Sequence, residues 1–253
     1  MQIKNKIALV TGGTKGIGRA ITEMLIKQGA IVIANYRSDT KNANEFLHGF
    51  SEEIRNKRLF LFKGDVSDKQ VVENLFDYIK TEFKQLDILV NNVATFDEND
   101  AVDNIQAFEK LFKANFMSHI IPTSYALNVM KKGKIIFIGS IHGQLGMGES
   151  RVVAYATMKA ALNSYTKILA KETAPEIIVN AIAPGKVLTS IYGEFYTSNV
   201  DDKTFMQHIQ AHLIKRWIKP QEIAHAVKFL LENDAIVGQI LTVDLGMHLE
   251  TTR

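Results

Sequence analysis

Tyr155 and Lys159 are the residues whose types and spacing point most directly to chemistry. They are four residues apart in Tyr-Ala-Thr-Met-Lys, so on a helix their side chains share one face, about one turn apart. A free tyrosine titrates at about pH 10, but a neighbouring ammonium favours the phenolate and lowers that pKa. The pair could therefore exchange a proton near neutral pH, although the same spacing also occurs on ordinary amphipathic helices.

A glycine-rich segment near the start of the chain has the form of an anion-binding loop. Thr11-Gly12-Gly13-Thr14-Lys15-Gly16-Ile17-Gly18 follows the apolar run Ile7 to Val10 and precedes a helical pattern. Glycines let the main chain turn tightly and approach a pyrophosphate, and the N–H groups that begin a helix attract an anion. We therefore predict dinucleotide binding at Gly12, Gly16 and Gly18, against the alternative of a strand-to-helix turn that binds nothing.

The apolar pattern predicts the elements that position these residues. Short runs rich in β-branched residues alternate with longer segments of helical spacing, which is typical of a parallel sheet covered on both faces. Strands are predicted at Ile7 to Val10, Ile31 to Ala34, Leu59 to Lys63, Ile88 to Asn91, Ile135 to Ile138, Ile177 to Ala181 and Ile240 to Val243. Helices are predicted at Ile17 to Gln28, Asp68 to Lys84, Ala154 to Thr173 and Pro220 to Glu232, with two more between Ala101 and Lys131. The fold class is an α/β, Rossmann-like, doubly wound parallel sheet, forming a single domain over residues 1-253.

The composition excludes several classes of protein. Of 253 residues, 46% are hydrophobic and 23% charged, which supplies ample material for a core. A net charge of +3 is too mild to predict nucleic-acid binding. The absence of cysteine excludes disulfides and fits a reducing, cytoplasmic compartment. No membrane span or signal peptide is predicted, and the seven histidines show no spacing that predicts a metal site.

The order of the motifs resembles that of one enzyme family. The glycine loop is followed in turn by Asp65-Val66, Asn91-Asn92, Asn115, Ser140, the Tyr155 and Lys159 pair, and Pro184-Gly185. This order, which extends over essentially the whole chain, resembles the short-chain dehydrogenase/reductase superfamily, and within it the branch of 3-oxoacyl-carrier-protein reductases. The resemblance implies hydride transfer between a nicotinamide cofactor and a carbonyl or alcohol.

The resemblance also implies roles for individual residues. Tyr155 would protonate the carbonyl oxygen, Ser140 would hydrogen bond that oxygen, and Lys159 would bind the nicotinamide ribose. Asn115 would support a water that links the lysine to solvent. Taken alone, Ser140 could be a turn or cap residue, and Asn115 could satisfy a helix backbone. The implied cofactor contacts are Gly12, Thr14, Lys15, Gly16, Ile17, Gly18, Arg37, Ser38, Asp65, Val66, Asn91, Ala94, Tyr155, Lys159, Pro184 and Gly185.

The residues after the second predicted strand indicate which cofactor is bound. Asn35-Tyr36-Arg37-Ser38 offers no acid to accept a hydrogen bond from a ribose 2′-hydroxyl. A 2′-phosphate would instead meet Arg37, Ser38 and Lys15 through charge-assisted hydrogen bonds. We therefore expect NADP(H), against the alternative that both cations are solvated surface residues.

Departures from the family pattern leave the substrate open. Val93-Ala94 stands where the family has Ala-Gly, and the loop between Ser140 and Tyr155 is longer than in many relatives. We expect an NADPH-dependent ketone reductase, with a 3-oxoacyl thioester as the first substrate to test. A sugar, pterin, quinone or secondary-metabolite carbonyl is the alternative substrate. A non-catalytic NADP sensor is the alternative from another class.

Further segments bear on substrate access and assembly. Residues 186-219 carry aromatic side chains without a strand pattern and predict a substrate lid. The resemblance implies docking of an acyl carrier protein at basic residues near two helices, although surface lysines are ordinarily solubilising. It also implies a homotetramer or homodimer that uses the apolar faces Phe108 to Leu127 and Leu162 to Leu169. The docking candidates are Lys131, Lys132, Lys134, Lys167 and Lys171.

Overall fold

A sheet of parallel strands forms the centre of the protein. The computed structural model describes residues 1–144, 151–189, 209–210 and 212–249. Its strands are β1 (Ile7–Val10), β2 (Ile31–Tyr36), β3 (Leu59–Lys63), β4 (Ile88–Asn91), β5 (Gly133–Ile138), β6 (Ile177–Pro184) and β7 (Ile240–Val243). They lie in the order β3-β2-β1-β4-β5-β6-β7, and every neighbouring pair is parallel. The predicted seven-stranded parallel sheet is confirmed.

Helices cover both faces of this sheet. They are α1 (Gly16–Lys27), α2 (Thr40–His48), α3 (Ser51–Arg55), α4 (Lys69–Phe83), α5 (Ile105–Phe112), α6 (Ser118–Leu127), α7 (Val153–Thr173) and α8 (Pro220–Glu232). Ala8 and Val10 of β1 belong to the core shared with α1, α2 and α8. Ile7 and Leu9 belong to the core shared with α4, α6 and α7, because successive side chains of a strand point to opposite faces. None of the helices described is both long and apolar enough to span a membrane.

Two features of the segments between strands are not predicted: the helices α2 and α3, and a π-helical turn between α5 and α6. The apolar pattern does not predict α2 and α3, because these helices are short and mostly polar; α2 buries only Ala43 and Phe46, and α3 buries no residue. The predicted pair of helices between Ala101 and Lys131 is confirmed as α5 and α6. A π-helical turn, Lys113–Met117, joins them into a continuous run.

The sheet topology places a crevice beside β1 and β4. These two strands are neighbours although β2 and β3 come between them in the chain, so the strand order reverses there. At such a switch point the loops leaving the carboxyl ends of the two strands diverge, and ligands of open α/β sheets bind between them. The glycine-rich loop leaves β1, and the segment that begins at Asn92 leaves β4.

Candidate active site

The glycine-rich loop has a conformation that depends on its glycines. Gly12 and Gly16 have φ angles of +62° and +53°, a region that side chains with a Cβ rarely adopt. A Cβ on Gly18 would lie 2.1 Å from the carbonyl oxygen of Gly12 and 2.6 Å from the amide nitrogen of Asn92. That amide donates to the carbonyls of Thr11, at 3.0 Å, and Gly12, at 3.2 Å. Asn92 therefore fixes the loop of β1 to the loop of β4.

The start of α1 is suited to an anion. Lys15 is the N-cap residue, and its side chain makes no capping hydrogen bond. The first N–H groups of a helix have no partner within the helix and carry partial positive charge. With glycines in front of this terminus, a pyrophosphate can approach the main chain closely, so the loop fits the predicted cofactor.

Asn35 and Gly13 contribute to this loop in a way that the sequence does not predict. The N–H of Gly13 donates to the carbonyl of Asn35 at 2.8 Å. The fully buried Asn35 side chain donates to the carbonyl of Gly64 at 2.9 Å. A Cβ on Gly13 would lie 2.9 Å from the carbonyl oxygen of Val10. The signal in the sequence was Asn35 itself, a polar residue within an apolar strand. A buried polar side chain normally has hydrogen-bond partners.

The two cations expected at the 2′-phosphate lie near carboxylates. The Lys15 ammonium is 3.6 Å from Asp39, and the Arg37 guanidinium is 3.9 Å from Asp65. Both cations are more than half exposed, so these long pairs contribute little to stability. Ser38 is exposed beside them. The cations therefore remain accessible to an anionic ligand.

Asp65 is held in a defined orientation at the end of β3. Its Oδ1 accepts from the N–H of Ser67, at 2.9 Å, and from its hydroxyl, at 2.7 Å. Burial alone would raise the pKa of Asp65, but the Ser67 hydrogen bonds and the Arg37 charge together lower it. Thr14 and Val66 are almost completely buried, so neither side chain is open to a ligand.

Asn91, at the end of β4, has its side chain against α6. It is fully buried, and its amide donates to the hydroxyl of Thr123 on α6 at 2.9 Å. The side chain therefore faces the helix layer, and the ribose contact of Asn91 stays a prediction. Ala94, further along the same loop, is partly exposed.

Three further predicted cofactor contacts lie at the start of α1 and at the end of β6. Ile17, at the start of α1, is partly exposed. Pro184 is buried at the end of β6. A Cβ on Gly185 would lie 2.8 Å from the Cβ of Asp244, so no larger residue fits there without movement.

Ser140 and Tyr155 meet beyond the carboxyl end of β5. Ser140 caps the 3-10 helix Ile141–Gly143, and its hydroxyl oxygen accepts from the N–H of His142 at 3.2 Å. The same side chain lies near the Tyr155 phenol and acts on its pKa. Burial raises the pKa of Tyr155 to about 12, against the smaller lowering effect of the Ser140 hydroxyl. The phenol is therefore protonated at neutral pH, as a proton donor must be.

Lys159 lies one turn further along α7 and is fully buried. Its Nζ lies over the Tyr155 ring, 5.7 Å from the ring centre, and donates to the carbonyl of Ile138 at 3.0 Å. Burial lowers the pKa of Lys159 to about 7. This corrects the expectation that its ammonium brings the tyrosine pKa towards neutrality, because the loss of water around Tyr155 outweighs any effect of the lysine charge.

Asn115 and His119 support the loop that leaves β4. Asn115 is fully buried in the π-helical turn, and its amide both donates to the carbonyl of Thr95 and accepts from its N–H, each at 2.9 Å. His119 Nε2 lies 2.9 Å from the carbonyl oxygen of Val93. Burial, assisted by the charge of Lys159, lowers the pKa of His119 well below its usual value, so the imidazole is neutral and Nε2–H donates. The water-supporting role implied for Asn115 stays a prediction.

Phe96 and Asp100 are two contacts of Tyr155 that the sequence did not predict. The Phe96 and Tyr155 ring centres are 4.3 Å apart, with an angle of 39° between the ring planes. Asp100 accepts hydrogen bonds from the main chain of Ala154 and Tyr155. Both residues come from the loop between β4 and α5, in the part that follows the family motif at Asn91 to Ala94, so no local signal pointed to them.

Most of the predicted lid lies outside the described residues. Of residues 186-219, the structure describes 186–189, 209–210 and 212–219. In the longer loop after Ser140, residues 145–150 also lie outside the described part. The lid therefore stays a prediction.

Comparison with known proteins identifies the family. Residues 12–248 match the family model described as enoyl-(acyl carrier protein) reductase. The chain is 34% identical to the 3-oxoacyl-(acyl-carrier-protein) reductase of Salmonella typhimurium, over 98% of this chain and 100% of that protein. It is 32% identical to glucose 1-dehydrogenase 2 of Bacillus subtilis, over 98% of this chain and 96% of that protein. This chain belongs to the short-chain dehydrogenase/reductase family, as predicted.

Solved structures agree with this assignment. A short chain dehydrogenase from Burkholderia cenocepacia, solved in complex with NADP, is 28% identical with a TM-score of 0.86, over 98% of this chain and 100% of that chain. The aldohexose dehydrogenase of Thermoplasma acidophilum is 25% identical with a TM-score of 0.84, over 98% of this chain and 96% of that chain. The relatives thus include a reductase named for a carrier-linked acyl group and dehydrogenases named for sugars.

Proposed function

We propose that the protein is an NADPH-dependent reductase that converts a ketone to a secondary alcohol. The observation that carries this proposal is the cluster of Ser140, Tyr155 and Lys159 beyond the carboxyl end of β5. There a buried, protonated phenol lies near the hydroxyl of a serine and beside the ammonium of a lysine. A protein that only senses NADP has no need of such a proton-transfer set, which disfavours the sensor alternative.

NADP(H) fits the residues around the crevice. The main chain of the glycine loop and the free start of α1 would hold the pyrophosphate. Arg37, Ser38 and Lys15 would hold the 2′-phosphate, and the related Burkholderia enzyme binds NADP. A bound NADPH supplies the hydride that adds to the carbonyl carbon. The remaining contacts in this proposal are Thr14, Ile17, Asp65 and Val66 near the adenosine, Asn91 and Ala94 near the ribose, and Pro184 and Gly185 near the nicotinamide.

The three clustered side chains divide the proton chemistry between them. Tyr155 gives its phenolic proton to the carbonyl oxygen as the new C–H bond forms. Ser140 donates a hydrogen bond to the same oxygen and holds the substrate in line. Lys159 is partly protonated at neutral pH, since its pKa is about 7. Its ammonium favours the phenolate left after transfer and can return a proton to it, with Asn115 supporting the path to solvent.

A 3-oxoacyl thioester is the leading substrate, and a sugar carbonyl is the second. Both classes appear in the names of relatives at similar identity. Exposed lysines on α7 and before β5 support carrier docking. Lys134 does not belong to that docking set, because it is buried and its ammonium donates to the carbonyls of Leu230, at 3.0 Å, and Asn233, at 2.8 Å.

Turnover by the wild type and by Tyr155→Phe tests the proposal. NADPH oxidation is followed against 3-oxoacyl thioesters, hexoses, quinones and pterins. We expect the wild type to turn over at least one ketone, and Tyr155→Phe to lower kcat by about 10²- to 10⁴-fold with an unchanged Kd for NADPH. NADPH binding without turnover of any carbonyl would favour the sensor, and full activity of Tyr155→Phe would remove the phenol from the mechanism.

Organisation and assembly complete the proposal. We treat residues 1-253 as one cytoplasmic domain with a substrate lid at about 186-219, because the family match extends across nearly the whole chain. Assembly as a homotetramer or homodimer is supported by an apolar stripe on α5, the following π-helical turn and α7. Its rings lie side by side, with centres 5.7 Å apart for Phe112 and Phe116 and 6.4 Å apart for Phe116 and Tyr165. Ile168, one turn beyond Tyr165, is 59% exposed.

A further inference from the structure

Asp100 is a buried acid that contacts the main chain of the helix carrying Tyr155. It is 3% exposed. Its Oδ1 accepts from the N–H of Ala154 at 2.8 Å, and its Oδ2 accepts from the N–H of Tyr155 at 3.0 Å. Asp100 thus binds the main chain of the proposed proton donor with one of its two oxygens.

The start of α7 needs such a partner. The first N–H groups of a helix have no acceptor within it, and a local serine, threonine, aspartate or asparagine at the N-cap usually supplies one. Here the N-cap residue is Val152, which makes no side-chain capping hydrogen bond. Asp100 takes this role from a loop that is distant in the chain, and its negative charge is favourable at a helix N-terminus.

The same loop also contacts the ring of Tyr155. Phe96 packs against that ring, with 4.3 Å between the ring centres. The loop is itself anchored to α5, because the Lys110 ammonium donates to Asp97 at 2.6 Å. Tyr155 is therefore held at its main chain by Asp100 and at its ring by Phe96, and both contacts come from one anchored segment.

We infer that Asp100 is a positioning residue for proton transfer from Tyr155. The inference rests on the proposed function, in which this phenol is the donor. Asp100 holds the first turn of α7 so that the phenol stays in place beside Ser140 and Lys159. A shift of about 1 Å at a reacting group can lower a rate by about 10²-fold, so a contact that fixes this turn affects catalysis without touching substrate.

Asp100→Ala and a matched control test this role. The control is Asp68→Ala, because Asp68 also accepts from two main-chain N–H groups at a helix start, those of Gln70, at 2.8 Å, and Val71, at 3.3 Å. Its helix, α4, carries none of the proposed proton-transfer residues. Asp100→Asn is the conservative variant, since it keeps one acceptor oxygen for one of the two N–H groups.

Three measurements separate positioning from a loss of stability. Hydrogen–deuterium exchange of the peptide around Ala154 and Tyr155 reports the contact itself, without any assumption about activity. The kcat at saturating NADPH and substrate reports positioning, and the Kd for NADPH reports the glycine loop. The solvent deuterium isotope effect on kcat reports whether the proton step has become slower.

We expect Asp100→Ala to speed exchange at this turn, to lower kcat by about 10- to 100-fold, to raise the isotope effect and to leave the Kd for NADPH unchanged. Asp100→Asn should retain more of kcat. Asp68→Ala should lower the melting temperature while kcat stays at the wild-type value. Faster exchange with wild-type kcat, or an equal loss of kcat in both alanine variants, overturns the inference. If Tyr155→Phe is fully active, the proposed function fails first, and faster exchange would then show Asp100 to be only a helix cap.

Discussion

The ammonium nitrogen of Lys159 lies 5.7 Å from the centre of the Tyr155 ring and donates to the carbonyl of Ile138. Both side chains are buried, and burial moves their pKa values in opposite directions, to about 12 for Tyr155 and about 7 for Lys159. The protein thus keeps a protonated phenol beside a lysine that gains and loses its proton near neutral pH. This arrangement suits reduction, in which the tyrosine gives up a proton and must recover it.

The buried lysine makes stability depend on pH. The pKa of Lys159 is about 7 in the folded protein, against an ordinary value of 10.5 for lysine. Between these two pH values the unfolded chain therefore binds more protons than the folded protein does. Stability of the wild type should therefore rise with pH across this window, and the cost of burying the ammonium should be fully present below pH 7. Lys159→Met lacks this titration, so its stability relative to the wild type should fall by up to about 1.4 kcal/mol per pH unit across the window.

Urea unfolding of both proteins at pH 6, 8 and 10 measures that difference. The variant also loses the hydrogen bond to Ile138, which changes its unfolding free energy by the same amount at every pH. The test is therefore how the difference in unfolding free energy between the two proteins changes with pH. A difference in unfolding free energy that does not change with pH would contradict the low pKa of Lys159.

Gly18→Ala should disrupt the cofactor loop. The added methyl would lie 2.1 Å from the Gly12 carbonyl oxygen, so the loop must move, and we expect loss of NADPH binding together with a lower melting temperature. Gly49→Ala is the control, because its Cβ would meet only the Phe46 carbonyl oxygen at 3.5 Å. Calorimetric titration with NADPH checks both variants, and tight binding by Gly18→Ala would show that the loop tolerates the shift.

Arg37→Ala should weaken NADPH binding but not NADH binding. A charge-assisted hydrogen bond to the 2′-phosphate contributes about 1.5–3 kcal/mol, which corresponds to a rise in Kd of about 10- to 100-fold. Arg55→Ala, which removes an exposed arginine on α3, is the control and should leave both constants unchanged. Equal weakening of NADPH and NADH by Arg37→Ala would argue against a contact with the phosphate.

Charge reversal at Lys132 and Lys171 tests carrier docking. Both lysines are exposed, and an acidic carrier would be attracted to them. The double variant Lys132→Glu/Lys171→Glu should raise KM for a carrier-linked 3-oxoacyl substrate by about 10-fold or more, but not KM for a small thioester analogue. Lys27→Glu/Lys80→Glu makes the same change in total charge elsewhere and should change neither KM. A similar rise for both substrates in the first variant would exclude docking at these lysines.

Ile168→Glu should disrupt self-association. Ile168 is exposed on the apolar stripe that includes Phe116 and Tyr165, and burying an unpaired carboxylate in an interface is strongly unfavourable. Sedimentation velocity should show the wild type as a tetramer or dimer and the variant as a smaller species. Ile54→Glu, at an exposed isoleucine on α3, is the control. A monomeric wild type would contradict the proposed assembly.

Much of the fold could be predicted from the chain alone because its signals are local. The apolar run Ile7 to Val10 matches β1 residue for residue, since a strand buried on both faces leaves a continuous run of apolar residues. Ile240 to Val243 matches β7 residue for residue as well, although this strand lies at the sheet edge and is only partly buried. The glycines of the loop are equally readable, because positive φ angles and close main-chain contacts require them. The helices α2 and α3 lack a clear apolar stripe and were not predictable on this basis.

The sequence by itself determined the family, the positions of the strands along the chain and the identity of the residues proposed to carry out proton transfer. The tertiary structure decided how those residues behave. It placed Asn91 towards α6, paired Asn115 with Thr95 and set the opposite pKa directions of Tyr155 and Lys159. Asp100, 54 residues from Ala154, became visible only there, because burial and main-chain hydrogen bonds between distant segments leave no periodic trace in a sequence.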